Sequence, residues 1–135
     1  FLLVLALAGP GASAAASAQT AQAPRTAPRA IVYYFHGSTR CTTCKTIEAY
    51  AHETVAAAFG GDLKAGSLEW KVVNVDEPAN QHFVRDYQLY TRSVVVVDAK
   101  APKRFKVLDR VWQLVGDKAA FQQYVEQEVR AFRSS

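Results

Sequence analysis

The sequence has few sulfur-containing residues: its 135 residues include two cysteines and no methionine. Two cysteines cannot build the dense disulfide framework of a small secreted scaffold. Hydrophobic residues make up 50% of the chain and charged residues 21%, which excludes wholesale disorder. A chain of this length forms one ordinary domain and has no room for a second independent core. The composition therefore predicts a single globular domain.

Excess positive charge is scarce in the part of the chain that is expected to fold. The formal net charge is +4, but Arg25 and Arg29 lie in the first 29 residues, which contain no acidic residue. Residues 30–135 thus carry 14 basic and 12 acidic side chains, a net charge of +2. So small an excess gives no basic stripe, and we predict no nucleic-acid partner.

The N-terminal residues resemble an export signal. Residues 1–8 form an apolar run that ends at Gly9-Pro10, and small residues follow. We predict a secretory signal peptide at residues 1–18 that is truncated at its start, because no initial methionine or charged n-region precedes the apolar run. The alternative is a membrane anchor retained as an uncleaved leader, although eight apolar residues are too few to span a bilayer. We expect export to the periplasm, which would place both cysteines in an oxidising compartment.

After a polar, proline-containing linker at residues 19–29, hydrophobic periodicity predicts an α/β domain at residues 30–135 with the element order β-α-β-α-β-β-α. The predicted strands lie at 31–35, 68–75, 94–97 and 111–115, the last of them antiparallel, and residues 99–110 are predicted to form a solvated hairpin connection. The first predicted helix lies at 43–59 and is stopped by Gly60-Gly61, and a short second helix is opened by Asp76-Glu77-Pro78, with Phe83 and Tyr87 facing inward. The final helix is capped by Asp117, and its inward-facing residues are Phe121, Tyr124, Val125, Val129 and Phe132. Long separations between the first three strands imply that these pair in parallel. The core aromatics are predicted to include Tyr33, Tyr34, Trp70 and Trp112. The expected architecture is a central mixed sheet flanked by helices.

The two cysteines, Cys41 and Cys44, form a C-x-x-C motif where the first predicted strand leads into the first predicted helix. Free N–H groups and the helix dipole stabilise negative charge at a helix start. We therefore expect the pKa of the Cys41 thiol to be lowered, with Arg40 and Lys45 adding positive charge on either side. Cys41 is the candidate nucleophile and Cys44 the resolving thiol. Glu48, one turn further along, is expected to pair with Lys45 or to face solvent.

Other interpretations of the cysteine pair stay open. A static disulfide would close a loop of only four residues, where the gain in loop entropy is small. A structural zinc ion needs about four ligands, and the sequence has no second C-x-x-C and no H-x-x-H. His36, at the end of the first predicted strand, is either a loop histidine with one backbone hydrogen bond or a group that tunes the Cys41 thiolate. With Cys41 and Cys44 it would also suit copper(I), which gives the alternative of a copper(I) or iron–sulfur carrier.

The motif in this setting resembles the thioredoxin superfamily over about residues 30–133. Three stretches, YYFHG-x-x-x-C-x-x-C-x-T-I-E-A-Y, NVDEPANQHFVRDYQL and VGDKAAFQQYVEQEV, are similar to the ArsF family. That family comprises small exported thioredoxin-like proteins, named as subunits of a nitrophenyl-compound nitroreductase system and associated with a DsbD-like membrane partner. The resemblance implies a thiol–disulfide redox protein whose redox centre is its own disulfide, with no other cofactor. It also implies a DsbD-like membrane thiol-electron donor and, as a second partner, a substrate protein or reductase subunit.

The chain departs from the thioredoxin pattern beside the cysteines. Arg40 stands where thioredoxin has an aromatic residue, and Thr43 where it has proline. Ser93 stands where the superfamily places a cis-proline, and we predict a trans Arg92–Ser93 bond because a non-proline cis bond costs about 2.5–4 kcal/mol. Without the proline ring the dithiol is less shielded and open to a metal or cluster. Arg92 and Ser93 are candidate thiolate-tuning or partner-contact residues, as is the neighbouring Tyr90.

Overall fold

A four-stranded mixed sheet with helices on both faces forms the domain in the computed structural model, which describes residues 29–135. The elements are β1 (Ala30–His36), α1 (Thr42–Ala58), α2 (Gly60–Ala65), β2 (Leu68–Asn74), a 3₁₀ turn (Pro78–Asn80), α3 (His82–Asp86), β3 (Ser93–Asp98), β4 (Phe105–Val107), α4 (Val111–Leu114) and α5 (Lys118–Ser134). The α/β class and the mixed sheet are as predicted. The predicted signal peptide and all but the last residue of the linker lie outside the described residues. Between residues 29 and 135 no helix has the length and apolarity needed to cross a membrane.

The central strand β1 organises the sheet, whose strand order is β2-β1-β3-β4. It pairs in parallel with β2 but antiparallel with β3, so the prediction that the first three strands run in parallel is wrong. Asn74 at the end of β2 pairs with His36, and Ser93 at the start of β3 pairs with Phe35. Both junctions lie at the same end of β1, so the segment between them passes over β1 without running the length of the sheet.

The last strand lies where the sequence predicted a solvated connection. β4 pairs antiparallel with β3, and its Phe105 and Val107 pack on one face of the sheet while Lys106 is exposed. The predicted strand at 111–115 is instead the helical turn α4, with Val111 buried and Leu114 half-buried. These two apolar residues are spaced by three, which suits one face of a helix as well as a buried strand.

The larger core lies between the sheet and the helices α1 and α5. The prediction for α5 is confirmed, since Asp117 Oδ1 accepts a hydrogen bond from Ala120 N at 3.1 Å. All five residues predicted to face inward are buried: Phe121, Tyr124, Val125, Val129 and Phe132. Helix α1 ends just before the glycine pair, as predicted, and the pair begins a second helix, α2. Helices α1 and α5 thus cover β1 and β3 on this face, whereas Val72 of β2 and Lys106 of β4 stay exposed.

A smaller, largely aromatic core covers the opposite face. Tyr33 and Phe35 of β1 stack with ring centroids 5.0 Å apart. Phe83 of α3 and Tyr87 just after it pack on this pair, as predicted, with Tyr87 only 6% exposed. The central strand is thus buried on both sides, which accounts for its uninterrupted apolar sequence.

Truncating Phe121 to alanine should lower the free energy of unfolding by about 3–5 kcal/mol, because it removes a fully buried ring from the larger core. The ring also makes an edge contact with Tyr50, at a centroid distance of 5.5 Å. Urea unfolding followed by circular dichroism measures the loss. Gln123→Ala, an exposed position on the same helix, is the control and should change stability by less than about 0.5 kcal/mol.

Candidate functional site

The two cysteines lie at the N-terminus of α1, where the motif predicted them. Cys41 is the N-cap residue, and its Sγ accepts a hydrogen bond from Cys44 N at 3.0 Å. The side chains form a disulfide, with the Cα atoms 5.1 Å apart. Cys41 is exposed, whereas Cys44 is only 3% exposed. The pair therefore presents one sulfur to solvent and keeps the other within the protein.

The loop between β1 and Cys41 is held against the end of β2. Ser38 N donates to Asp76 Oδ2 at 2.7 Å, and Asn74 Nδ2 donates to Ser38 Oγ at 3.1 Å. A Cβ atom at Gly37 would lie 2.9 Å from Asp76 Oδ2 and 3.0 Å from Arg92 Nη2, so the close packing here suits glycine. Asp76 does not cap the following helix as predicted, because its carboxylate is used to hold this loop.

Arg40, directly before Cys41, is fixed by an ion pair with Glu48 of α1. Its Nη1 also lies 3.4 Å from His36 Nε2, and its buried Nε has no hydrogen-bond partner among the described residues. The expectation that Glu48 pairs with Lys45 or faces solvent is wrong. Arg40 reaches Glu48 from the loop before the helix, while Lys45 is exposed. The positive charge beside Cys41 is therefore partly balanced by a carboxylate.

His36 closes β1 next to this ion pair. Its Nδ1 lies 2.9 Å from the carbonyl oxygen of Gly37, to which it donates when protonated at Nδ1. Nε2, the acceptor in that tautomer, then faces the Arg40 guanidinium. The backbone hydrogen bond anticipated for a loop histidine is present. Over residues 29–135 no three histidine, cysteine or acidic side chains are grouped so that they could hold a metal ion.

Tyr34 supports the buried cysteine from below. Its hydroxyl donates to the carbonyl oxygen of Cys44 at 2.7 Å, and its side chain is fully buried. Burial raises the pKa of Tyr34, and the charges of Arg40 and Arg92 oppose this shift. The sequence identified Tyr34 only as a core aromatic. Alternation along β1 places it on the face that α1 covers, but the hydrogen bond depends on the register of α1 over the strand.

The loop before β3 completes the surroundings of the motif. Arg92 Nη2 donates to Thr39 O at 3.1 Å, and Trp112 Nε1 of α4 donates to Arg92 O at 2.9 Å. Ser93 is 5% exposed and donates from Oγ to Thr91 O at 2.8 Å, so its hydroxyl serves its own loop. The described residues contain no cis peptide bond, which confirms the trans Arg92–Ser93 bond.

A surface depression of about 170 Å³ lies beside this loop. One of its members, Tyr90, has 87% of its surface accessible. The other lining residues are Phe35, His36, Gly37, Val75, Asp76, Val84, Leu89, Thr91 and Arg92. Three of the residues singled out from the sequence, His36, Tyr90 and Arg92, therefore share one surface with mixed apolar and charged character.

No protein-family model matches the chain, and no curated protein matches its sequence. The assignment to a family therefore stays a prediction that depends on the motif, its setting and the element order.

Removing the Tyr34 hydroxyl tests its role under the cysteine pair. Tyr34→Phe should lower the free energy of unfolding by about 1 kcal/mol near neutral pH, because the carbonyl of Cys44 loses a buried donor. Since the pKa of Tyr34 is raised on folding, the unfolded chain loses this proton first as the pH rises, and the wild type loses stability above about pH 10. The variant should lose less over that range. Urea titrations at about pH 8 and pH 11 measure both effects, with the exposed Tyr90→Phe as control.

Proposed function

We propose that the chain is an exported thioredoxin-like protein that passes electrons through the Cys41–Cys44 dithiol. The observation that carries this proposal is the asymmetry of the pair at the start of α1. The exposed Cys41 Sγ accepts the hydrogen bond from Cys44 N, and Cys44 lies buried behind it. After reduction, the same N–H group and the helix dipole favour a thiolate at Cys41.

The reaction that we propose is a two-electron exchange between dithiol and disulfide. The Cys41 thiolate attacks one sulfur of a partner's disulfide, which forms a mixed disulfide and releases the partner's first thiolate. Cys44 loses its proton to solvent and attacks Cys41 Sγ, which breaks the mixed disulfide and releases the second thiolate. The partner's disulfide is thereby reduced, and the Cys41–Cys44 dithiol is oxidised to the disulfide seen here.

The rest of the site supports a fixed geometry for this exchange. Tyr34 holds the backbone at Cys44, and Asp76 and Arg92 hold the loop that leads to Cys41. The α/β architecture, a mixed four-stranded sheet with helices on both faces, is compatible with a thioredoxin-like fold. Because Ser93 replaces the superfamily's proline, we propose that partner proteins dock through other groups, among them Tyr90, which is 87% exposed.

The partners that we propose for the exchange come from the family resemblance. For reductive work in an oxidising compartment, the dithiol must be regenerated by an external reductant. We propose a membrane thiol carrier of the DsbD-like type as the donor, and a substrate protein or a subunit of a nitroaromatic-reducing system as the acceptor. Arg92 holds the loop before Cys41, and Tyr90 shares a surface depression with Arg92 and His36, where we propose that either partner approaches.

Trapping of mixed disulfides tests the exchange. Cys44→Ser should accumulate covalent adducts through Cys41, because the resolving thiol is gone, whereas Cys41→Ser should accumulate few since Cys44 is buried. Non-reducing electrophoresis after incubation with a disulfide-containing protein counts the adducts, and adding dithiothreitol should release them.

The matched control is the double variant Cys41→Ser/Cys44→Ser, which should give no adduct. Metal content is measured on the same wild-type preparation. If Cys44→Ser traps nothing while the wild type purifies with stoichiometric copper or iron, the redox proposal is wrong and the carrier alternative gains support.

The reactivity of Cys41 should also depend on pH in a defined way. In Cys44→Ser, alkylation of Cys41 by iodoacetamide should reach half of its maximal rate below pH ~8.5, the value for a free cysteine. The reason is the hydrogen bond and the dipole at the start of α1. A midpoint at or above that of free cysteine would contradict the helix-start explanation without touching the disulfide exchange.

A further inference from the structure

The strand β2 forms one edge of the sheet, and its outer side has no strand partner among residues 29–135. It is seven residues long, Leu68–Asn74. The opposite edge, β4, has only three residues and presents Lys106. Short length and lysine are the usual means by which proteins protect a sheet edge. The β2 edge also carries an exposed lysine, Lys71, but it is more than twice as long as β4, and Val72 within it is 42% exposed.

The hydrogen bonds to β1 show which backbone groups of β2 point outward. Val75 N donates to His36 O at 2.8 Å, and Arg29 N donates to Ser67 O at 2.9 Å. Because alternate residues of a parallel strand bond to the same neighbour, the odd-numbered residues of β2 face β1. The outward-facing amides and carbonyls are those of Leu68, Trp70 and Val72. None of these groups bonds to another part of the described chain.

The free edge ends at Asn74. Its carbonyl oxygen accepts a hydrogen bond from Asn80 Nδ2 at 3.0 Å. At the other end, Gly66 N donates to Leu63 O at 3.3 Å. Leu68, Trp70 and Val72 therefore present unpaired backbone groups between residues whose backbone groups are already hydrogen-bonded. These three residues form a template for one further strand.

We propose that a second copy of this chain pairs with β2 in antiparallel register, with the two-fold axis at Trp70. In that register Glu69 lies opposite Lys71 of the second copy, and this pair occurs twice. Leu68 lies opposite Val72, also twice, and the outward-facing backbone groups of the two strands meet each other. Trp70 pairs with its own copy, beside the His52 ring on which it stacks at 5.3 Å.

Charge selects this register over its neighbours. The outward-facing backbone groups recur at every second residue, so one strand can shift along the other only in steps of two residues. Each such step moves the two-fold axis by one residue. An axis at Lys71 places two lysines opposite each other, and an axis at Glu69 places two glutamates opposite each other. Only the axis at Trp70 pairs each of these charges with its opposite, in addition to the contact of 3.3 Å between them within one chain.

The assembly would leave both dithiols accessible. Asn74, at the end of β2, lies beside His36, and the loop to Cys41 begins there. In an antiparallel pair the two ends point in opposite directions, so the two motifs lie at opposite ends of an eight-stranded sheet. The dimer does not depend on the redox proposal, and variants in β2 leave the cysteines unchanged.

Charge reversal and its rescue test the interface in the full chain by analytical ultracentrifugation over a range of concentrations. Glu69→Lys and Lys71→Glu should each raise the dissociation constant of the dimer about tenfold or more, because two opposite-charge pairs become like-charge pairs. The double variant Glu69→Lys/Lys71→Glu should restore the wild-type value. The control is Lys103→Glu, which makes the same charge change as Lys71→Glu but lies beside the opposite edge of the sheet. It should leave the dissociation constant of the dimer unchanged.

Hydrogen exchange gives a second, independent readout. The amides of Trp70 and Val72 should be protected at concentrations where the dimer forms and should exchange freely on dilution. A wild type that stays monomeric throughout, a dimer that none of the β2 variants weakens, or amides protected in the monomer would each overturn the proposal. The last result would mean that a segment of the same chain covers the edge.

Discussion

Burial of β1 on both faces is the constraint on which the rest of the structure depends. The strand contributes Val32 and Tyr34 to the core under α1 and α5, and Tyr33 and Phe35 to the aromatic core on the other side. A strand held in this way cannot slip by one residue without exchanging its two faces. The position of its last residue, His36, is therefore fixed, and with it the start of the loop that carries the cysteines.

Electrostatics around the motif is more balanced than its sequence suggests. Arg40 and Lys45 flank the cysteines, but Arg40 is paired with Glu48 and is in contact with His36. The helix start supplies an N–H donor to Cys41 Sγ that no side chain neutralises. The backbone of α1 thus contacts Cys41 Sγ directly, whereas the Arg40–Glu48 pair fixes the loop in front of it.

Features set by local sequence were predictable, and features set by long-range packing were not. The strand at β1, the motif at the start of α1 and the cap at Asp117 depend on residues within a few positions of one another. The direction of β3 depends on where the returning chain meets β1, and the apolar run at 111–115 suits either a strand or a helical turn. Contacts such as Asp76 with Ser38, separated by 38 positions, appear only when the sheet is assembled.

Arg92 shows why the site needs the whole domain. Its guanidinium holds the carbonyl of Thr39 in the loop before Cys41, and its own carbonyl accepts the indole N–H of Trp112. The helical turn α4, which the sequence predicted as a strand, therefore holds the loop before β3 through Trp112. That loop in turn holds the loop before Cys41 through Arg92. As a strand, the same residues would direct successive side chains to opposite faces of the sheet. The mispredicted element is thus part of what positions the cysteines, although none of its residues lies within the motif.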